Sequence, residues 1–129
     1  MKRPSVLLVD DEVAFANNLL KLLSKRGYDV VVVYDGAHAV DRVGEKDFDV
    51  IILDMKMPGM DGIATLKEIK KKVPAVEVVI LTGHGSIESG IEGMQLGAFD
   101  FLMKPVSIDD LQEKVSEAYR RKLVQGERV

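Results

Sequence analysis

The stretch Val50–Gly62, VIILDMKMPGMDG, decides the fold of this chain. Val50 to Leu53 are apolar without alternation, the pattern of a strand buried on both faces. The run stops at Asp54, and Pro58, Gly59 and Gly62 then break the chain into a loop. A buried strand that ends in one carboxylate at the mouth of a loop is either a turn cap or part of a site. The rest of the sequence has to choose between them.

Working outward, four more apolar runs appear. Ser5–Val9 precedes Asp10, Asp11 and Glu12; Val30–Val33 precedes Tyr34; Glu77–Leu81 precedes Thr82; and Asp100–Met103 precedes Lys104 and Pro105. Between them lie helical patterns. The segment after the acids, as far as Arg26, places Phe15, Leu19, Leu22 and Leu23 on one face, with Gly27 where a C-terminal cap belongs. Gly36–Glu45 is a weaker helix with Ala39, Val40 and Val43 inward. Ile63, Leu66, Ile69 and Val73 mark the third helix, closed by Pro74. Its last turn carries Lys70, Lys71 and Lys72, which suits the helix dipole and reads as a solvated face. Ser86–Leu96 is expected to be the loosest helix, because Gly90 and Gly93 each cost about 1 kcal/mol relative to Ala. The last helix opens at Ser107 with Asp110 at capping-box spacing and buries Leu111, Val115, Ala118 and Tyr119. From Arg120 its apolar stripe fades, and the end is read as frayed helix or the start of a linker.

Strand and helix alternate five times, which predicts an α/β fold with a parallel sheet and helices on both faces. At 129 residues the chain is a single domain, with its core at about 4–120 and a tail at 121–129. No apolar run approaches the roughly 20 residues of a membrane span, and no secretory leader is evident, so a cytoplasmic location with no membrane partner is expected. The chain has no cysteine, which removes disulfides and thiolate metal sites. A net charge of −3 offers nothing for direct nucleic-acid binding.

Functional groups in such sheets gather at the carboxyl ends of the strands. Here those ends supply Asp10, Asp11, Asp54, Thr82 and Lys104, while the strand ending at Tyr34 supplies nothing obvious, as befits an edge. Two carboxylates about 4 Å apart repel by roughly 4 kcal/mol at an effective dielectric of 20. One ammonium cannot balance three acids, and Mg²⁺ or Mn²⁺ takes such hard oxygen ligands. His38 and His84 lie outside the set, and His38 reads as an exposed helix residue. Met55, Met57 and Met60 read as loop packing. An acid beside a cation, a hydroxyl and a lysine is equipment for phosphoryl transfer through an aspartyl phosphate. Spacing alone does not say which acid is the nucleophile; Asp54, single and central, is favoured over the adjacent pair.

The motifs V-D-D-E at 9–12, L-D-M-K-M-P-G-M-D-G at 53–62, L-T-G-H-G at 81–85 and D-F-L-M-K-P at 100–105 resemble the receiver domain of bacterial two-component response regulators. Within that family the third and fourth motifs are similar to receivers joined to ATPase-containing transcription activators. The resemblance implies a flavodoxin-like sheet of order 2-1-3-4-5 and a signalling protein that is not an enzyme beyond turning over its own phosphate. It implies that Asp54 is phosphorylated by a sensor histidine kinase or phosphotransfer protein. Asp11, Asp54 and the backbone carbonyl of Lys56 would bind Mg²⁺ directly, with Asp10 assisting through water. Thr82 and Lys104 would hold the phosphate, and Phe101 would be the switch aromatic, here without a hydroxyl. Lys56 and His84 would tune phosphate lifetime, and the Lys104–Pro105 peptide would be cis. A homodimer through the face of helix 4, strand 5 and helix 5 is a further expectation, while the downstream effector is not readable from the residues.

Three other readings compete. A phosphorylation-independent receiver-like module is opposed by the presence of every site residue. A haloacid-dehalogenase-like phosphatase would carry D-x-D after the first strand, where this chain has adjacent acids. A nucleotide binder would need a glycine- or hydroxyl-rich loop there, and Asp10-Asp11-Glu12 would repel phosphate.

Overall fold

The computed structural model describes residues 3–57, 60–83 and 87–127. Among these residues five strands and five helices alternate without exception: β1 (Ser5–Val9), α1 (Val13–Lys25), β2 (Asp29–Val33), α2 (Gly36–Glu45), β3 (Val50–Asp54), α3 (Gly62–Lys72), β4 (Glu77–Thr82), α4 (Ile87–Gln95), β5 (Asp100–Met103) and α5 (Ile108–Glu127). The strands form one parallel sheet of order β2-β1-β3-β4-β5. β2 is an edge, as the lack of a functional group at its end suggested. None of the described helices is long and apolar enough to cross a membrane.

Strand periodicity divides the core into two layers. Leu7, Val9, Ile51, Leu53, Val78 and Ile80 face α2 and α3 through Ala39, Val43, Leu66 and Ile69. Val6, Leu8, Val50, Ile52, Val79 and Leu81 face α1 and α5 through Ala16, Leu19, Leu23, Leu111, Val115 and Ala118. Because both faces are covered, the central strands carry unbroken apolar runs, which is why they are legible in the sequence.

Helix ends follow local chemistry. Asp35 and Asp61 cap α2 and α3 by accepting hydrogen bonds from the His38 and Ala64 amides, both at 2.8 Å. Ser107 accepts from the Asp110 amide at 3.1 Å, the expected half of a capping box. Gly27, at φ +97°, ends the turn after α1 in a conformation that favours glycine. His38 is exposed, as expected, and its ring nitrogen lies 2.7 Å from the Asp35 carboxylate.

At two places packing adds to what the sequence offers. Gly90 and Gly93, expected to loosen α4, are also buried packing positions. A Cβ at Gly90 would lie 2.6–2.9 Å from three ring carbons of Phe101, and one at Gly93 would run into the Ile80 side chain. The second place is α5, read from Arg120 as frayed helix or the start of a linker, which is helical as far as Glu127. Polar contacts replace the missing apolar stripe there. Arg121 Nε sits 2.9 Å from the buried Glu77 carboxylate, and Lys122 Nζ reaches Asp49 at 2.9 Å and the Phe48 carbonyl at 3.0 Å.

Candidate phosphoryl-accepting site

The carboxyl ends of β1, β3, β4 and β5 converge as the topology requires. Asp54 closes β3 with only 3% of its surface exposed, and Asp10, immediately after β1, is fully buried. The Lys56 amide donates to Asp54 Oδ1 at 3.2 Å, and the Glu12 amide donates to Asp10 Oδ1 at 2.9 Å. Each loop thus folds back on the acid that opens it and fixes that carboxylate in place. The buried side chains of Met55 and Met57 anchor the loop after Asp54, whereas Lys56 is exposed and its stem passes beside Gly83.

Lys104 is the counter-charge. Its ammonium donates to Asp10 Oδ2 at 2.8 Å and Glu12 Oε1 at 2.9 Å, and stands 3.7 Å from Asp54 Oδ2. Burial works against the Lys104 charge, but the bonds to Asp10 and Glu12 and the field of Asp54 outweigh it and raise the lysine's pKa. The Asp54 pKa is raised too, to about 6, first by burial and then by the charge of Asp10, which for a carboxylate disfavours the charged form. The Lys56 amide and Lys104 offset part of that rise, and Asp11 adds to it.

Thr82 ends β4 fully buried, and its hydroxyl finds no hydrogen-bond partner among the described residues. A buried hydroxyl left in that state is costly unless something else supplies the bond. The neighbouring strand is tied on by the Lys104 amide, which donates to the Thr82 carbonyl at 2.8 Å. Phe101 on β5 is half-buried and packs its ring against Gly90. The Lys104–Pro105 peptide is cis. His84, Pro58 and Gly59 lie outside the described residues.

Carboxylate oxygens of Asp10, Glu12 and Asp54 all lie within 4.8 Å of one another. Three acids against one ammonium, two of them buried, make a hard-oxygen donor set that fits Mg²⁺ or Mn²⁺. Asp11 is half-buried beside this close group, and its charge still bears on Asp54. Sequence reasoning missed Glu12 and Phe15. Glu12 pairs with Lys104 across 92 positions, and Phe15 lays its ring 4.3 Å from the same ammonium. Phe15 carried only the signal of a helix core residue.

The response regulator receiver domain model matches residues 6–116. The transcriptional regulatory protein ZraR of Salmonella typhimurium is 44% identical over 113 residues, covering 88% of this chain and 26% of that protein. The DNA-binding transcriptional regulator NtrC of Escherichia coli is 36% identical over 118 residues, covering 92% of this chain and 25% of that protein. The chain therefore spans about a quarter of the length of these curated relatives. A response regulator receiver domain protein from Clostridium thermocellum superposes with a TM-score of 0.90 at 37% identity, over 95% of this chain and 98% of that one.

Proposed function

The chain belongs to the response regulator receiver domain family, and from that premise we propose that it is a phosphorylation-driven switch whose acceptor is Asp54. The observation that carries this reading is the state of Asp54 itself. It is a nearly buried carboxylate with a raised pKa, facing an ammonium 3.7 Å away and sharing its pocket with Asp10 and Glu12. An Asp oxygen attacks the phosphorus of a phosphohistidine on a partner kinase or phosphotransfer protein. The P–N bond breaks, and its electron pair stays on the departing imidazole.

Asp11, Asp54 and the Lys56 carbonyl would hold Mg²⁺, with Asp10 acting through water, and the bound ion supplies charge neutralisation on the phosphoryl oxygens. Lys104 contributes a second positive charge to the same oxygens. The Thr82 hydroxyl, unsatisfied among the described residues, donates to the phosphoryl group once it is in place. Each such charge-assisted bond contributes about 1.5–3 kcal/mol, enough to shift a two-state equilibrium several-fold or more.

Phe101 is the element that reads the change. Its ring is seated on α4 at Gly90, so a move of Thr82 and its loop is passed to α4, β5 and α5. That face is the proposed output and homodimer surface. Lys56, and His84 outside the described residues, are proposed to set how long the phosphate lasts. Intact mass after incubation with acetyl phosphate and Mg²⁺ tests the reading. Wild type gains one phosphoryl group, and Asp54→Asn or added EDTA abolishes the gain. A gain that persists in Asp54→Asn overturns the assignment.

A further inference from the structure

Lys104 follows β5, an edge strand, yet its ammonium bonds to the acid after β1, on the far side of β4 and β3. Adjacent strands lie about 4.8 Å apart, so the side chain has to lie across the carboxyl end of the sheet. A lysine has four rotatable side-chain bonds, and an extended pose of this kind needs something to hold it. Of its two hydrogen-bonded partners, Glu12 is 63% exposed and its attraction is screened by water. Asp10 is buried, but it is also one of the groups proposed to serve the cation.

The remaining neighbour is Phe15. Its ring centroid lies 4.3 Å from Lys104 Nζ, inside the range where the face of an aromatic ring attracts an ammonium. Phe15 is held from behind, because it is partly buried and packs against the core layer that α1 and α5 share. The Lys104 side chain is only 15% exposed, so this attraction is poorly screened. Among the described residues the ammonium is thus surrounded by three carboxylates and one ring. Of these neighbours, the ring is the one whose attraction is independent of what happens to the carboxylates.

We propose that Phe15 is a positioning residue for phosphorylation of Asp54: its ring holds the Lys104 ammonium at the distance from which it can serve the incoming phosphoryl group. This rests on the reading of Asp54 as acceptor. An aliphatic side chain of similar bulk would fill the space but would not attract the cation. Such a variant leaves Lys104 drawn toward exposed Glu12, and phosphoryl transfer slows.

The experiment compares Phe15→Leu, Phe15→Met and Phe15→Trp in the full chain, with acetyl phosphate and Mg²⁺ as the probe. Uptake by Leu and Met slows roughly three- to tenfold, the size expected of a partly desolvated cation–π contact, while Trp keeps the wild-type rate. In a Lys104→Met background, Phe15→Leu changes nothing further. A purely structural role for Phe15 predicts the same loss with or without Lys104, and that outcome overturns the proposal. A second measurement does not depend on phosphorylation. The Lys104 ε-methylene protons are shifted upfield by the ring in wild type and Phe15→Trp, and return to the usual lysine position in Phe15→Leu. Wild-type protein that takes up no phosphate overturns the assignment of Asp54; wild type and Phe15→Leu with equal uptake overturn only the role of Phe15.

Discussion

Lys104 Nζ stands 3.7 Å from Asp54 Oδ2 while committed to Asp10 and Glu12 at 2.8 and 2.9 Å. The Asp54 carboxylate is near its cation but not bonded to it. Asp54 is therefore under-compensated, and burial and Asp10 raise its pKa to about 6. Titration of the Asp54 carboxyl carbon by NMR in EDTA should show a midpoint near 6, moving down by a unit or more when Mg²⁺ is added. A midpoint in the ordinary carboxylate range without metal would contradict the site's electrostatics.

The same shift makes a statement about stability. A carboxyl whose pKa is higher in the folded state favours folding only while protonated. That advantage is lost as pH rises from the unfolded value of 3.8 through about 6. Asp54→Asn should then stabilise the metal-free protein at pH 7.5, by about 3 kcal/mol at most, and have little effect near pH 4. Urea unfolding at the two pH values checks this. Equal stability of the two proteins at pH 7.5 would refute it.

At α4, packing and helix propensity pull in opposite directions. Ala gains about 1 kcal/mol over Gly in a helix, but overpacking a filled site costs roughly 1–3 kcal/mol. Gly93→Ala meets the Ile80 side chain, so it should lower the urea midpoint. Gly90→Ala meets the ring carbons of Phe101, Cγ among them, so the whole ring has to move. The combination Gly90→Ala with Phe101→Leu should recover stability lost in Gly90→Ala alone. If both single variants were more stable than wild type, α4 would be limited by backbone softness after all.

Glu77 is the third buried acid among the described residues, at the opposite end of the sheet from Asp10 and Asp54. Burial raises its pKa, and Arg121, Lys70 and Lys122 pull it back only in part. Its Oε2 has Arg121 Nε at 2.9 Å but no aligned hydrogen bond. Arg121→Met leaves that carboxylate without its nearest cation and should destabilise the protein by about 1–3 kcal/mol. The double variant with Glu77→Met should be the more stable of the two, because both charges are then gone. Thermal denaturation of the pair at pH 7.5 decides it, and the reverse order would count against the ion pair.

Some of this was legible in the sequence because it rests on local pattern. A central parallel strand has to read as an apolar run, and Asp54, Thr82 and Lys104 stand out because each ends one. Glu12 gives no such signal, since its partner lies 92 positions away and one exposed acid in an acidic trio looks like any other. Phe15 reads as core by its spacing, and it is core on the side away from Lys104. Gly90 and Gly93 carry two opposed signals, only one of them local: propensity counts their backbone freedom, while the fold uses their missing side chains. The charged end of α5 hides a contact in the same way, since Arg121 docks on buried Glu77 while Leu123 and Val124 stay exposed.

The bond between Lys104 and Asp10 joins positions 94 residues apart. Taken with the backbone, it closes most of the chain into one ring, and β2, β3, β4 and β5 all lie within it. No shorter length of polypeptide holds both partners, and no single hairpin or βαβ unit can be excised with the pocket intact. The cluster around Asp54 is in that sense a certificate of the finished sheet: a chain that has folded only in part has strands, but it has no such pocket.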